Sequence, residues 1–193
     1  MEIWLIRHTT PKVAKGVAYG QTDLEVTEDY EIQKARIADH LKDEFADATI
    51  YASPLQRCRL LAEDLAAPFQ KSIQLDDRIK EINFGIWEMT PWNEVPAETL
   101  DPWMNDFVNF RVPEGESFLD LQERVIHFWE ELIQKHTDGE KIMLSTHSGV
   151  VRTLLCHILE IPLKNAFRLD LHYGTISKVT HKNNLTKVVY FNH

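Results

Sequence analysis

The sequence predicts an α/β fold, a three-layer α/β/α sandwich with a mostly parallel central sheet. Short apolar runs bounded by polar residues recur along the chain, and stretches with helical spacing separate them. Strands alternating with helices in this way imply parallel pairing, with helices covering both faces of the sheet. The chain has 193 residues, 44% of them apolar, which is enough for one substantial core. A single domain over residues 1–193 is therefore expected.

The first strand is expected at residues 2–6, where Ile3-Trp4-Leu5-Ile6 is cut off by Arg7-His8. That run is too short for a signal-peptide core or a membrane span. Residues 28–45 read as a helix, with Ile32, Ala35, Ala38, Leu41 and Phe45 at three- and four-residue intervals. A strand at 49–52 leads into a helix over 54–67, for which Ser53 is the expected N-cap and Pro54 the first helical residue. Residues 73–75 form a further short strand. Between 87 and 116 the chain is rich in Pro and Trp (Pro91, Trp92, Pro96, Pro102, Trp103, Pro113). This segment is expected to be an irregular insertion with one short helix, forming a small cap over the site.

Regularity returns at residues 117–136. Phe118, Leu121, Val125, Phe128, Trp129 and Leu132 form one apolar stripe there, Ser117 and Asp120 supply a capping box, and Gly139 follows the end. A strand at 142–145 and a helix at 149–159 come next. Residues 175–191 alternate with β-branched side chains around Asn183-Asn184, the pattern of a closing hairpin. No internal repeat or low-complexity segment interrupts this order.

A net charge of -9 argues against a nucleic-acid or membrane-surface partner, since a polyanion would be repelled and no long basic run is present. An anionic small molecule would need a local positive pocket instead. Cys58 and Cys156 are far apart and neither belongs to a C-x-x-C pair, so neither a disulfide framework nor a zinc knuckle is expected. The expectation is a cytoplasmic, soluble protein, either monomer or homodimer.

Ligands of α/β sheets bind beyond the carboxyl ends of strands, which draws attention to polar residues that follow apolar runs. Arg7-His8 follows the first strand. Thr146-His147-Ser148-Gly149 follows the strand at 142–145 and opens a helix, whose free N–H groups suit an anion. Arg57 comes early in its own helix. Together these groups can enclose a phosphate, although singly each has an ordinary reading. Nine Arg and nine His in this length give about 0.4 Arg-His pairs by chance. A lone His147 is as often structural as catalytic, Arg57 is more often a surface residue than a ligand, and Glu81 alone is a solvated loop carboxylate.

The combination is more specific. Leu5-Ile6-Arg7-His8, Ser53-Pro54-Leu55-Gln56-Arg57, Glu81-Ile82-Asn83-Phe84-Gly85-Ile86-Trp87-Glu88 and Ser145-Thr146-His147-Ser148-Gly149 resemble, in order and spacing, the histidine-phosphatase superfamily. The length and Tyr19-Gly20-Gln21-Thr22-Asp23 resemble most the α-ribazole-5′-phosphate phosphatases of cobalamin assembly. The resemblance implies a phosphoglycerate mutase-like fold and phosphomonoester hydrolysis through phosphohistidine, with no metal and no cofactor. It implies that His8 is the nucleophile, that Arg7, Arg57 and His147 hold the phosphoryl group, and that Glu81 is the proton donor. Ser148 is expected to add a phosphate contact. Tyr19, Gln21 and Trp87 are expected to touch the rest of the substrate, with Trp92, Trp103 and Phe107 as further candidate walls for a flat ring, some of these aromatics being simply the core of the cap.

The chemistry agrees with those roles. His8 attacks only as neutral imidazole, so its other ring N–H needs a fixed acceptor, expected to be a backbone carbonyl. Arginine forks neutralise the non-bridging oxygens as the P–O bond breaks, the part a metal plays elsewhere. A carboxylic acid protonates the leaving oxygen and then, as carboxylate, activates water.

Departures from the family pattern are Thr9 where Gly is usual after Arg-His, no Asn within Thr10-Pro11-Lys12-Val13-Ala14, and Cys58-Arg59-Leu60-Leu61-Ala62 after Arg57. The arginines flanking Cys58 would activate an exposed thiol, but a packed cysteine is the expectation. Other phosphate chemistries lack their motifs. There is no P-loop, no Arg six residues after either Cys (Asp64 and Pro162 stand there), no H-E-x-x-H and no G-x-S-x-G. Phosphoglycerate mutase, a broad-specificity phosphatase and a non-enzymatic anion-binding module are the competing functions. Mutases of the family are generally longer, and a dead module would be expected to lack His8 or Glu81.

Overall fold

Alternation along the first strand, β1 (Glu2–Arg7), builds the two faces of the molecule. In the computed structural model, which describes residues 1–42 and 44–193, Ile3 and Leu5 pack with α4 (Phe118–Lys135) and α5 (Ser148–Ile158) through Phe118, Leu121, Val125 and Leu154. Trp4 and Ile6 pack the other way, against Ile37 and Leu41 of α1 (Tyr30–Leu41) and Leu61 and Leu65 of α2 (Gln56–Ala66). Successive strand side chains point to opposite faces, so a strand buried on both sides reads as an unbroken apolar run.

The remaining strands are β2 (Ala48–Ala52), β3 (Ile73–Leu75), β4 (Lys141–Thr146), β5 (Ile176–Lys182) and β6 (Leu185–Tyr190). They form one six-stranded sheet in the order β3-β2-β4-β1-β5-β6. The first four are parallel and the last two antiparallel, giving the expected mostly parallel sheet between two helical layers. Asn183 and Asn184 take left-handed φ values of 51° and 59°, which suits a two-residue hairpin turn between β5 and β6.

Helix ends show where local patterns mislead. The Ser117–Asp120 capping box of α4 is present as read. The helix expected over 28–45 is shorter, because Asp29 is the N-cap of α1 and the regular helix ends at Leu41 with Lys42 as its C-cap; Asp43 lies outside the described residues. A larger correction concerns α2, which starts at Gln56 with Leu55, not Ser53, at its N-cap. The Gln56 N–H is taken instead by the Asp23 carboxylate from a distant loop, at 2.6 Å. Ser53 is engaged elsewhere, in the site.

Segment 87–116 contains a 3₁₀ turn at Trp92–Glu94 and one helix, α3 (Ala97–Asn105). It has its own apolar nucleus, in which Trp87, Val95, Trp103 and Val112 are buried with Ala18 from the first loop. Trp92 stacks on Trp103 with ring centroids 5.5 Å apart. Backbone bonds from Ala18 to Thr90 and from Met89 to Ala18 stitch the segment to that loop. No described helix is long and apolar enough to cross a membrane.

Candidate active site

Strand register brings the two histidines together. Arg7 pairs with Thr146 across β1 and β4, and the ladder continues one step as the His8 N–H donates to the Thr146 carbonyl at 3.0 Å. His8 and His147 are thus the next neighbours, at the carboxyl ends of adjacent parallel strands, with ring centroids 5.1 Å apart. On the other side of β4 the Ser53 N–H donates to the Ser145 carbonyl, extending β2 in the same manner. Ser53 Oγ and His147 Nε2 share a hydrogen bond of 2.8 Å. The serine therefore orients His147 and does not cap α2.

His8 is almost fully buried, and its Nδ1 lies 2.7 Å from its neighbour Thr9's carbonyl oxygen. A carbonyl only accepts, so Nδ1 carries the proton and Nε2 keeps its lone pair. Burial first, then the Arg57 and Arg7 charges, hold the imidazole well below its usual pKa of 6.5. His147 is driven the same way by burial, then by Arg57 and His8. Both rings are neutral at pH 7.

The arginines are fastened at one end. Arg57 is fully buried; its Nη1 donates to the Thr22 carbonyl at 2.9 Å and its Nη2 to that of Gly20. Arg7 donates Nη1 to the Leu171 carbonyl, and its guanidinium lies 3.8 Å over the Tyr173 ring. In each arginine the buried Nε has no partner within the protein. A buried charged donor without an acceptor is costly, and an oxyanion would satisfy it.

Glu81 sits at the start of α5, where its carboxylate accepts the Gly149 N–H at 3.1 Å, the Ile82 N–H at 3.0 Å and the Ser148 hydroxyl at 3.2 Å. This corrects the expectation for that helix end. Of the main-chain donors expected there, the Gly149 N–H serves the Glu81 carboxylate, as does the Ser148 hydroxyl, while the Ser148 N–H is not engaged by Glu81. A Cβ on Gly149 would lie 2.1 Å from Glu81 Oε1, so only glycine admits this approach. Arg124 holds the same stretch from behind, donating to the Arg78, Lys80 and Glu81 carbonyls at 2.7–2.8 Å while paired with Glu116.

A cavity of about 170 Å³ opens beside Glu81, with Tyr19, Phe84, Trp92, Phe118, Arg152 and Phe167 among its walls. Tyr19 is placed there as expected, its hydroxyl bonded to that of Tyr173. Trp87 is not. It is buried in the nucleus of segment 87–116 together with Trp103, because the largest indoles fill that small core. Gln21 is not among the cavity walls, and its amide donates to the Glu81 carbonyl at 3.0 Å. Phe107 packs behind the wall against Phe118 and Phe167. Arg152 was missed, although it stands one helical turn after Ser148 on the same face. Phe167 belongs to a 3₁₀ stretch, Leu163–Arg168, that left no periodic trace.

Cys58 packs against His147, Sγ to Nε2 3.4 Å, and burial pushes its thiol pKa up, the state of a packed cysteine. Among the described residues, no group of three His, Cys, Asp or Glu side chains is placed to hold a metal ion.

Residues 3–193 match the sequence profile of the histidine phosphatase superfamily, branch 1. The chain belongs to that superfamily. A relative, the probable phosphoglycerate mutase GpmB of Shigella boydii serotype 18, is 30% identical over 190 residues, spanning 96% of this chain and 87% of the relative. Among solved structures of similar fold, the alpha-ribazole phosphatase from Shigella flexneri superposes with a TM-score of 0.89 at 23% identity, covering 100% of this chain and 96% of that one. A phosphoserine phosphatase mutant from Entamoeba histolytica in complex with phosphoserine gives a TM-score of 0.85 at 23% identity, covering 99% and 96%. At such identities these structures establish the superfamily fold and leave the substrate open.

Proposed function

We propose that this chain hydrolyses a phosphomonoester by passing its phosphoryl group first to His8 Nε2 and then to water, and that α-ribazole 5′-phosphate is the substrate. The observation that carries the reading is the state of His8. Its Nδ1–H is fixed on the Thr9 carbonyl and its ring is kept neutral, while the unpartnered Nε groups of Arg7 and Arg57 stand in the same buried site. In the first step Nε2 attacks phosphorus, the P–O bond to the leaving group breaks, and Glu81 in its acid form protonates the departing oxygen. In the second, the Glu81 carboxylate takes a proton from water as that water attacks phosphohistidine, returning neutral His8 and inorganic phosphate. Guanidinium groups spread over the equatorial oxygens supply the charge stabilisation throughout.

The leaving group follows from what adjoins Glu81. Since the protonated oxygen lies at that carboxyl, the rest of the molecule extends into the cavity walled by Phe84, Trp92, Phe118 and Phe167. Aromatic walls suit the flat benzimidazole of α-ribazole better than a small polar glycerate. Phosphoglycerate mutase is the second reading, favoured by the name of the 30% identical relative. Values of kcat/KM for α-ribazole 5′-phosphate, 3-phosphoglycerate and a plain aryl phosphate, measured side by side with EDTA, separate the two. Selectivity for the first is the expected outcome. Mutase turnover of the second, or a requirement for added metal, would overturn it.

A further inference from the structure

Glu88 takes no part in the steps above, yet its carboxylate accepts five hydrogen bonds. Oε1 receives the Gln21 N–H at 2.9 Å and the Phe84 N–H at 3.0 Å. Oε2 receives the Gly20 N–H at 3.0 Å, the Thr22 N–H at 3.1 Å and the Thr22 hydroxyl at 2.6 Å. Three consecutive backbone amides thus converge on one side chain 66–68 residues away. Burial raises the proton affinity of Glu88, but these donors outweigh it and hold the group below its usual 4.5, so it is a carboxylate at neutral pH.

The same short loop has a second face. With its N–H groups turned to Glu88, the loop offers the Gly20 and Thr22 carbonyls to Arg57, which donates Nη2 to the first and Nη1 to the second. Two carbonyls fix the plane of the guanidinium and leave only Nε unpartnered. The loop is also pressed close, since a Cβ on Gly20 would lie 1.8 Å from the Ile82 carbonyl oxygen. Asp23, the next residue but two, holds the start of the helix that carries Arg57.

We propose that Glu88 is a positioning residue for phosphoryl transfer, which orders residues 20–22 so that their carbonyls aim Arg57 at the phosphoryl oxygens. The proposal rests on the reading of Arg57 as a phosphoryl ligand. Glu88→Gln is the informative change, because it keeps the shape but turns an amide donor toward N–H donors, leaving part of the loop without acceptors.

The test is a double-mutant cycle on the full chain with an aryl phosphate as substrate. Glu88→Gln alone is expected to lower kcat/KM by about 100-fold, the scale of a misplaced catalytic group. It should also weaken inhibition by inorganic phosphate by about tenfold, as expected for a disturbed charge-assisted contact. In an Arg57→Ala background the same change should cost less than about threefold, since the two act through one contact. A merely structural carboxylate gives additive losses, and Glu116→Gln, on the Arg124 side, provides that control. Amide exchange at Gly20, Gln21 and Thr22 should accelerate in folded Glu88→Gln.

Full additivity of Glu88→Gln and Arg57→Ala, or protected amides in the variant, would overturn the role of Glu88 and leave the catalytic reading standing. Full activity of Arg57→Ala would defeat both.

Discussion

The two ends of the active site are built by different means. At the phosphoryl end, His8, His147 and Ser53 stand directly after β1, β4 and β2, so strand register alone places them. Arginine charges are then added and tied down by backbone carbonyls. At the leaving-group end, nothing is set by a strand. Phe84, Trp92, Phe118, Arg152 and Phe167 come from a loop, a 3₁₀ segment, two helices and another 3₁₀ segment, and they meet only because apolar side chains pack. Register is exact to one residue, whereas packing of aromatic groups tolerates exchange. On the proposed reading, the chemistry belongs to the rigid end and substrate choice to the adaptable one.

If that division is correct, mutations at the junction between the ends should depend on the leaving group. Glu81→Gln is expected to lower kcat/KM by about 10²–10³ for an alkyl phosphate, whose alkoxide needs a proton, and by less than about tenfold for nitrophenyl phosphate. Equal losses on both would place Glu81 outside proton donation. Deeper in the cavity the effects shrink. Trp92→Ala should raise KM for a ring-bearing substrate by about tenfold, the scale of one lost stacking partner. The same variant should leave turnover of a small alkyl phosphate unchanged. Trp87→Ala should do the reverse, lowering unfolding free energy by about 3–5 kcal/mol in a denaturant titration, with kcat per folded molecule retained. A ring-specific KM effect at Trp87 would show that the cavity extends into the nucleus of segment 87–116.

The same contrast explains what could be read from the amino-acid sequence. Apolar runs flanked by polar residues located all four parallel strands and drew attention to His8, Arg57 and His147 after them, whereas Glu81 entered only through the family resemblance. Tertiary context defeated the finer readings. Ser53 has the composition of a helix cap, but a buried His147 one strand away competes for its hydroxyl and wins. The free amide of the α5 end looked available for phosphate, until Glu81 arrived from a separate loop. Trp87 and Trp92 are five residues apart in one irregular segment; periodicity carries no rule for which indole turns inward. Glu88 lay within the quoted motif, yet its partners are 66–68 residues distant and left no local signal.

A smaller effect tests the electrostatics of the rigid end. The folded pKa values of His8 and His147 are depressed below the unfolded value near 6.5, so the unfolded chain binds more protons just below that pH. Stability is accordingly full above about pH 6.5 and erodes as pH falls from there toward the folded values. Nitrogen-15 NMR of the ring nitrogens should show His8 neutral, with Nδ1 protonated, at pH 6. An imidazolium signal at pH 6 would mean that the site is wetter and less cationic than its geometry indicates.

The catalytic outcomes among these depend on His8 Nε2 meeting phosphorus. Rapid quenching of turnover with a ³²P-labelled phosphomonoester, followed by peptide mapping under alkaline conditions, reads this at the atom concerned. The expected result is an acid-labile phosphoryl group on Nε2 of His8, formed and lost at rates compatible with kcat. Label on Cys58 or His147, or turnover at the same rate by His8→Ala with no trapped intermediate, would contradict it.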